Sequence, residues 1–504
     1  MKRTIALILI LTFISAALIS CNKPRANNIN ISDGNSNIEN ETPAGDIIND
    51  EQIELKPADE NYGGYTFRIA GFNSYGGGWK AFDYSEVASE TISGDPINDA
   101  VYNRNAKVEE LYNIKIKEVL YGGLSDDYSS VIAKMTNIVM AGSDEFDAGL
   151  SPGNSMPKLI GTKNMTYDLF SIPEFDLAAS WWDQNCVKNF SLAGKLHSVS
   201  GDISLWNSMG LVVFYANKKI IKDCGLENPY DLVRSGKWTW DKMGEMARGA
   251  VRDINGDGVI DRFDQIGIAS EEGTMGEAVL CAGERFSYKD ADDMPVLNTN
   301  YDRISAVLDK AMPVLRSEEY AYASSDLYGK YPNPYFNFTM PKFQENQTLF
   351  YTQQLMVALD LREMEADFSV LPFPKLDENQ DQYYSCATDY FVTYAWLPVT
   401  GGETARSGNI LQAMGYYSQQ MVIPALFDVT ITNKALRDED SLEMLEIIKN
   451  SRVYDFFTIY NWGDMLNIYN NIYNKRTNNL FSAVEKSTGK IEAAMKKTID
   501  ELMK

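Results

Sequence analysis

Histidine is almost absent from this chain, which has a single His, His197, in 504 residues. One histidine cannot supply an HExxH zinc site, and the sequence also has no Ser/His/Asp set, no P-loop and no dinucleotide-binding glycine pattern. His197 lies between apolar positions, which favours a structural role. The sequence therefore gives no positive sign of catalysis. The 70 acidic residues leave one enzymatic alternative open, a glycosidase that works with two carboxylates.

Cysteine is also scarce, with five residues in the whole chain. Four of them lie far apart and form neither a CxxC motif nor a zinc pattern. These four would allow three disulfide pairings, and the sequence does not choose between them. We expect at least two to be buried free thiols. The four are Cys186, Cys224, Cys281 and Cys386.

Basic residues are outnumbered by acidic ones, 46 to 70, and the formal net charge is −24. An acidic surface repels phosphate backbones, which argues against nucleic acid as a partner. The same charge keeps a protein soluble. Because 44% of the residues are hydrophobic and 12% are aromatic, we expect most of the chain to be folded around a large core.

Apolar runs long enough to cross a membrane are missing as well. The longest run, from Ile5 to Ile19, follows Lys2 and Arg3 and is shorter than the roughly 20 residues of a spanning helix. This pattern is typical of a secretory signal peptide, and its end, Leu18-Ile19-Ser20-Cys21, looks like a bacterial lipobox. Residues 1–21 are therefore predicted to be a lipoprotein signal peptide, with Cys21 lipidated on the extracytoplasmic face of the cell membrane. An ordinary secretory signal with a stray cysteine is the alternative.

Polar residues dominate the next segment, 22–58. It is rich in Asn, Ser, Asp and Glu and has almost no aromatic residues. Such a segment cannot bury enough apolar surface to offset the entropy of ordering. We predict a disordered tether between the lipid anchor and a globular body.

Strand and helix patterns alternate at the start of that body. Residues 65–70, 114–119 and 146–150 are predicted to be strands, and Asp95-Pro96 is a typical helix start between the first two. Such alternation implies parallel βαβ units and an α/β fold. Ligands of open α/β sheets bind outside the carboxyl ends of the strands. The loops after the first and third strands are therefore candidate binding loops.

The most informative stretch runs from Gly194 to Met243. It predicts a loop carrying a tryptophan, a buried strand at 211–215, and a helix from Lys218 to Cys224 that Gly225 ends in a left-handed cap. Thr239 is expected to cap the helix that follows. Three short segments of this stretch occur in a characteristic order: Tyr215-Ala216-Asn217-Lys218, Cys224-Gly225-Leu226 and Thr239-Trp240-Asp241. Together with Phe368–Pro374, they resemble the family 1 extracellular solute-binding proteins of ABC importers.

This resemblance implies an α/β, two-lobed periplasmic-binding-protein-like fold with a hinge and an interlobe cleft. It also implies a monomeric binding protein, not an enzyme, that closes on a mono- or oligosaccharide and docks on the permease subunits of an importer. The chain then divides into the signal peptide 1–21, the tether 22–58, the first part of lobe 1 at 59–170, lobe 2 at 171–388, a return segment of lobe 1 at 389–440, and C-terminal helices, mainly of lobe 2, at 441–504. A strand over 389–396 is expected to cross back to lobe 1.

Aromatic and polar residues at predicted strand ends and lobe crossings form a candidate sugar site. Aromatic faces stack on sugar rings, and carboxylates and amides bind the hydroxyl groups. Trp206 is the preferred stacking platform, because it follows directly after the predicted lobe-crossing strand. The complete candidate set is Asn73, Trp79, Ser151, Asn154, Asp202, Trp206, Tyr351 and Asp389. The alternative for each aromatic residue is a place in the core, which is expected for Trp240 on its helix face.

Residues 253–264 match a calcium-binding loop. Oxygen side chains fall at loop positions 1, 3, 5, 9 and 12, the carbonyl of position 7 adds a ligand, and Gly258 occupies the sharp turn at position 6. Position 12 is aspartate instead of the usual glutamate, and a pair of flanking EF-hand helices is missing. The predicted ligands of a structural Ca²⁺ are Asp253, Asn255, Asp257, Val259, Asp261 and Asp264. A surface turn rich in Asn, Asp and Gly is the alternative.

Three further functions stay open at this stage. One is a secreted carbohydrate-active enzyme, which would consume its sugar. Another is a binding protein for a solute that is not a sugar. The third, an adhesive or structural lipoprotein, would have no saturable small ligand.

Overall fold

A computed structural model describes residues 54–72, 78–122, 128–160, 165–432 and 439–503. The predicted signal peptide with Cys21, most of the predicted tether and the candidate residue Asn73 lie outside these ranges. The strands are β1 (Tyr65–Gly71), β2 (Ile114–Leu120), β3 (Ala148–Pro152), β4 (Val212–Asn217), β5 (Ile266–Ser270), β6 (Ser287–Lys289), β7 (Pro295–Leu297), β8 (Ala321–Ala323), β9 (Thr348–Gln354), β10 (Phe368–Leu371) and β11 (Thr393–Trp396).

The helices account for most of the remaining regular structure. They are α1 (Pro96–Tyr112), α2 (Tyr128–Met140), α3 (Met156–Ile160), α4 (Gln184–Phe190), α5 (Leu205–Met209), α6 (Lys218–Cys224), α7 (Pro229–Arg234), α8 (Trp240–Gly249), α9 (Thr274–Cys281), α10 (Asp302–Leu315), α11 (Met340–Gln344), α12 (Ala358–Leu361), α13 (Thr404–Tyr417), α14 (Ile423–Thr432), α15 (Glu439–Asn450), α16 (Phe456–Tyr460), α17 (Leu466–Lys475) and α18 (Leu480–Leu502). Within the described ranges, no helix combines the length and the apolar character needed to cross a membrane.

Two larger sheets organise these elements, and β6 and β7 form a separate antiparallel pair. In the first, strand order is β11-β3-β1-β2, with β1 parallel to both β2 and β3 and β11 antiparallel to β3. In the second, the order is β10-β4-β9-β5-β8, with β5 parallel to β8 and β9. We call the first sheet with its packed helices lobe 1 and the second lobe 2. The predicted α/β class is confirmed, and the return of the chain to lobe 1 is made by β11.

Local sequence signals explain where several helices begin and end. The Asp95 carboxylate accepts hydrogen bonds from the backbone N–H of Ile97 and Asn98, at 3.0 and 3.1 Å, and so starts α1 as predicted. Gly225 ends α6 with φ 64°, a conformation that costs glycine little. The hydroxyl of Thr239 accepts from Lys242 N and caps α8. These three predictions are confirmed. Each depends on only a few neighbouring residues, so the local sequence was enough to make it.

Two neighbouring segments carry the chain between the lobes. We call residues 199–211 the first crossover and residues 387–393 the return crossover. Val199 pairs with Ala395 on the lobe 1 side, and Leu211 pairs with Ala387 at the edge of lobe 2. The two crossovers thus run side by side and are joined by backbone hydrogen bonds.

The structure corrects two predictions about these crossovers. Trp206, predicted in a loop, lies in the short helix α5, which begins where the Ser204 hydroxyl accepts a hydrogen bond from Asn207 N. Of the strand predicted over 389–396, only the final part, β11, is a strand in the structure. Residues before it turn instead, because the N–H groups of Phe391 and Val392 both bond to Thr388 O.

All four described cysteines are free thiols. Three of them, Cys186, Cys281 and Cys386, are buried. The sulfur atoms of Cys281 and Cys386 lie 3.7 Å apart. Their role in this structure is that of small apolar residues in the core.

Candidate functional site

A cavity of about 130 Å³ lies at the carboxyl ends of β1 and β2, beside the first crossover. Gly71 and Leu120 mark the two strand ends, which is where α/β sheets place ligands. The other lining residues come from the segment that follows β1, from β2 and from α5. They are Phe72, Phe82, Asp83, Tyr84, Ser85, Glu86, Val87, Glu118 and Trp206.

Aromatic rings form one side of this cavity. Trp206 is 5% exposed, and its ring centroid lies 5.2 Å from that of Phe82. The ring of Phe82 also lies 5.8 Å from that of Phe391 on the return crossover. The rings of Phe82, Trp206 and Phe391 therefore form a cluster that joins the segment after β1 to both crossovers.

The same segment after β1 also contacts lobe 2. The rings of Trp79 and Phe336 lie 4.2 Å apart, and Phe336 belongs to lobe 2. The backbone N–H of Lys80 donates to Asp360 Oδ1 at 3.2 Å, and its ammonium group lies 3.2 Å from Glu363 Oε1. Burial raises the pKa of Asp360 to about 6. Trp79 and Lys80 therefore both contribute contacts between the two lobes.

Carboxylates form the other side of the cavity. Glu86 Oε2 accepts a hydrogen bond from Thr393 Oγ1 at 2.9 Å, and Ser204 also bonds to this carboxyl group. Burial raises the pKa of Glu86 to about 7. Glu118 accepts from Ser85 Oγ at 2.9 Å, and burial raises its pKa as well. Both carboxyl groups are held in place by hydroxyl donors.

Lobe 2 contributes a second group of polar residues at the ends of parallel strands. Glu271 follows β5, and its carboxylate accepts from Ser324 Oγ at 2.7 Å and from Gln353 Nε2 at 2.9 Å. The Tyr335 hydroxyl also bonds to it. Burial raises the pKa of Glu271 to about 7, while burial and the neighbouring charge of Glu271 raise that of Glu277 to about 8. These are the polar groups that lobe 2 offers at its strand ends.

Opposite the aromatic rings, the crossovers carry a buried polar network. The Arg452 guanidinium donates to Asn207 O at 3.0 Å and lies 3.5 Å from Asp183 Oδ2. Asp202 accepts from Gln419 Nε2 at 2.9 Å, and Asp389 accepts from the Tyr394 hydroxyl at 2.6 Å. Burial raises the pKa of both Asp202 and Asp389.

The structure brings only some of the predicted site residues together. Trp206 lines the cavity and Trp79 joins the lobes. Asn154 donates its backbone N–H to Asp389 O at 3.1 Å, at the edge of the return crossover. Ser151 is fully buried and accepts from the indole N–H of Trp396 at 3.0 Å in lobe 1.

Tyr351 lies in the interior of lobe 2. It is 0% exposed, and its ring is 5.6 Å from that of Phe343. Tyr351, Ser151, Asp202 and Asp389 are therefore not among the residues that line the cavity. Trp240 is 0% exposed and packs on Phe214 and Phe373, as expected of a core residue.

Several residues of the site were not among the candidates. Phe72 and Glu118 lie at the ends of correctly predicted strands, so the strand-end rule alone was enough to nominate them. Glu271 follows β5, a strand that the sequence analysis did not predict, so the rule could not be applied there. Phe82 and Glu86 lie in a segment for which the sequence predicts no regular element, and no sequence signal pointed to them.

The loop at 253–264 lies apart from the cavity, between α8 and β5. Its acidic side chains accept backbone N–H groups of the loop itself: Asp253 accepts from Gly256 and Gly258, and Asp264 accepts from Ile254 and Asp261. These bonds lower the pKa of Asp264. Within the described ranges, no three His, Cys, Asp or Glu side chains converge into a group able to hold a metal ion. The predicted calcium site stays a prediction.

No protein-family profile and no curated protein matches the chain. Solved structures do resemble it. UspC of M. tuberculosis superposes with a TM-score of 0.55 at 12% identity, covering 85% of this chain and 100% of its own. An ABC substrate-binding protein of Listeria monocytogenes in complex with cycloalternan gives 0.52 at 12% identity, covering 87% and 98%. A family 1 extracellular solute-binding protein of Bifidobacterium longum subsp. infantis gives 0.51 at 11%, covering 87% and 99%. The predicted two-lobed periplasmic-binding-protein-like fold is thereby confirmed.

Proposed function

We propose that this chain is an extracytoplasmic, lipid-anchored solute-binding protein of the family 1 type, which captures a mono- or oligosaccharide for an ABC importer. The observation that carries the proposal is the cavity between strand ends of lobe 1 and the first crossover, walled by aromatic rings and carboxylates. The likeness to the cycloalternan complex supports a saccharide as the ligand. The partners are then the permease subunits of the importer, with no nucleic acid, and the protein acts as a monomer.

The cavity suits binding more than chemistry. Trp206 offers an aromatic face, and Glu86 and Glu118 offer carboxylate oxygens that accept hydrogen bonds from hydroxyl groups. The lobes close over the ligand by rotation about the crossovers, and the contact of Trp79 with Phe336 is made on closure. A closed protein presents a different surface to the permease than an open one.

A thermal-shift screen over a panel of mono- and oligosaccharides tests the function. We expect at least one saccharide to raise the melting temperature, because a ligand that binds only the folded state stabilises it by mass action. The amount of that sugar is measured in the same sample and should stay constant. Consumption of the sugar would favour a carbohydrate-active enzyme. A shift only with a peptide or other solute would reject the saccharide and keep the binding protein.

The lipid anchor has its own test. Cys21→Ala removes the thiol that would be acylated, so we expect the variant to leave the membrane fraction. Ser20→Ala serves as a control that keeps the cysteine. Membrane retention of the Cys21→Ala protein through a covalent lipid would contradict the proposal.

We also propose that the loop at 253–264 binds Ca²⁺ as a structural ion. The ligands would be the carboxylates of Asp253, Asp257, Asp261 and Asp264, the Asn255 amide oxygen and the Val259 carbonyl, since calcium takes six to eight oxygen ligands. Calorimetry with CaCl₂ should show binding, and chelation should lower the melting temperature. No heat at millimolar metal and an unchanged melting temperature after chelation would reject the site.

A further inference from the structure

The cavity beside Trp206 has an unbalanced set of charges. Asp83, Glu86 and Glu118 line it, and its described lining includes no lysine and no arginine. Three cations lie nearby, and one of them, Arg362, acts on Tyr84 of the lining. The Arg104 guanidinium acts on Glu86 and Glu118 from the protein interior, where its N–H groups bond to Val87 O, Asn105 Oδ1 and Ser418 Oγ. Lys80 is engaged with Glu363. The titratable groups that line the cavity are therefore acidic apart from Tyr84.

The two better buried carboxylates are fixed in place and keep the capacity to accept further hydrogen bonds. Glu118 Oε2 accepts a hydrogen bond from Ser85. Its Oε1 atom lies 2.5 Å from the position that a Cβ atom on residue 71 would occupy. Gly71 thus leaves room for this carboxylate at the end of β1. Glu86 is 8% exposed and is held through Oε2 by Thr393. A carboxylate accepts about four hydrogen bonds, so each can also bind a donor of a ligand.

Aromatic rings line the same small space. Phe72, Phe82 and Trp206 are lining residues, and the face of an aromatic ring attracts a cation. The volume of about 130 Å³ is well below the roughly 300 Å³ at which pockets begin to enclose a whole small ligand. The cavity therefore admits one small group of a larger ligand.

We propose that this cavity recognises a protonated amino group, and that the ligand is a saccharide with a free amine, a hexosamine residue. This inference rests on the proposed saccharide-binding function. Carboxylates supply charge-assisted acceptors for the three ammonium donors, and the rings cover the remaining apolar edge of the sugar. A uronic acid or a sugar phosphate would bring a second negative charge to the same walls.

Three disaccharides with one β-1,4-linked skeleton test the charge. Chitobiose carries ammonium groups, cellobiose carries hydroxyls at the same positions, and N,N′-diacetylchitobiose carries neutral amides. Calorimetry at neutral pH should show chitobiose binding about tenfold or more tightly than either of the others, as expected for a charge-assisted pair. Any neutral or acidic saccharide of the panel that binds as tightly as chitobiose overturns the inference while leaving the saccharide-binding function intact. If no saccharide binds, both fail.

Variants locate the preference in the cavity. Glu118→Gln keeps the shape and removes the charge, so it should lower the preference for chitobiose over cellobiose by about tenfold. Glu86→Gln provides the same test if the first variant does not fold, as judged by its melting curve. Glu319→Gln removes a charge from an exposed residue of lobe 2 and should leave the preference unchanged. An unchanged preference in a folded Glu118→Gln or Glu86→Gln protein overturns the assignment to this cavity.

Discussion

The two sides of the crossovers differ sharply in chemistry. One side carries Trp206 and Phe391 and faces the cavity, where aromatic rings leave a space open. The other carries Asn207 and Asp389, whose hydrogen bonds to Arg452 and Tyr394 are buried. Polar groups that hydrogen-bond to each other in the interior stabilise the fold, whereas a cavity between aromatic rings and carboxylates leaves room for a ligand. The difference separates residues that hold the crossovers in place from residues that line a cavity.

The largest expected effect comes from breaking the polar side. Arg452→Ala leaves Asp183 and Asn207 without their buried cation, which should lower the free energy of unfolding by about 3–5 kcal/mol. Chemical denaturation measures the loss. Arg248→Ala, which removes an exposed partner of Glu319, is the matched control and should cost about 1 kcal/mol or less. Equal losses in the two variants would contradict a structural role for the polar side.

Breaking the aromatic side should affect ligand binding instead. Trp206→Ala removes a wall of the cavity, and we expect the affinity for a saccharide ligand to fall by about 1–3 kcal/mol. Trp240→Ala, in the lobe 2 core, should lower the melting temperature but leave the affinity of the folded protein unchanged. Titration calorimetry on both variants compares them. Unchanged affinity in a folded Trp206→Ala protein would remove Trp206 from the site.

Glu86 lies where the two sides meet, and its titration sharpens the comparison. Because burial raises its pKa to about 7 from 4.5, the folded state holds this proton more tightly than the unfolded state does. Its contribution to stability is fully present below pH 4.5 and is lost as the pH rises through 7. Glu86→Gln does not titrate. We expect its unfolding free energy, relative to the natural protein, to rise by about 2–3 kcal/mol between pH 5 and pH 8. Parallel pH profiles for the two proteins would contradict this.

The smallest expected effect concerns the contact between the lobes. Trp79→Ala removes the ring pair with Phe336, which is worth about 0.5–1.5 kcal/mol beyond the buried area. We expect faster ligand dissociation with little change in association, measured by stopped-flow fluorescence. Phe170→Ala, at an exposed aromatic residue of lobe 1, is the control. Equal dissociation rates for the two variants would show that the contact does not hold the lobes closed.

Much of the fold was predictable from the sequence because its signals are local. The cap of Asp95 and the left-handed Gly225 each depend on a few neighbours. Side-chain direction at the crossovers was not predictable in the same way. Trp206 and Asp202 lie close together on the first crossover, yet only Trp206 lines the cavity. Asp202 instead accepts a hydrogen bond from Gln419, more than two hundred residues further along the chain. The direction of each side chain depends on partners far away in the sequence and on helix α5, which the sequence analysis did not predict.

For the proposed binding protein, the contacts between the lobes determine how the ligand is released. The contact of Trp79 with Phe336 and the bonds of Lys80 are part of a larger interface, because Ala81, Ile97 and Val101 also share a buried apolar cluster with residues of lobe 2. Under the proposed function, release of the ligand requires that this apolar interface be separated. The interface therefore determines how firmly the closed state is held.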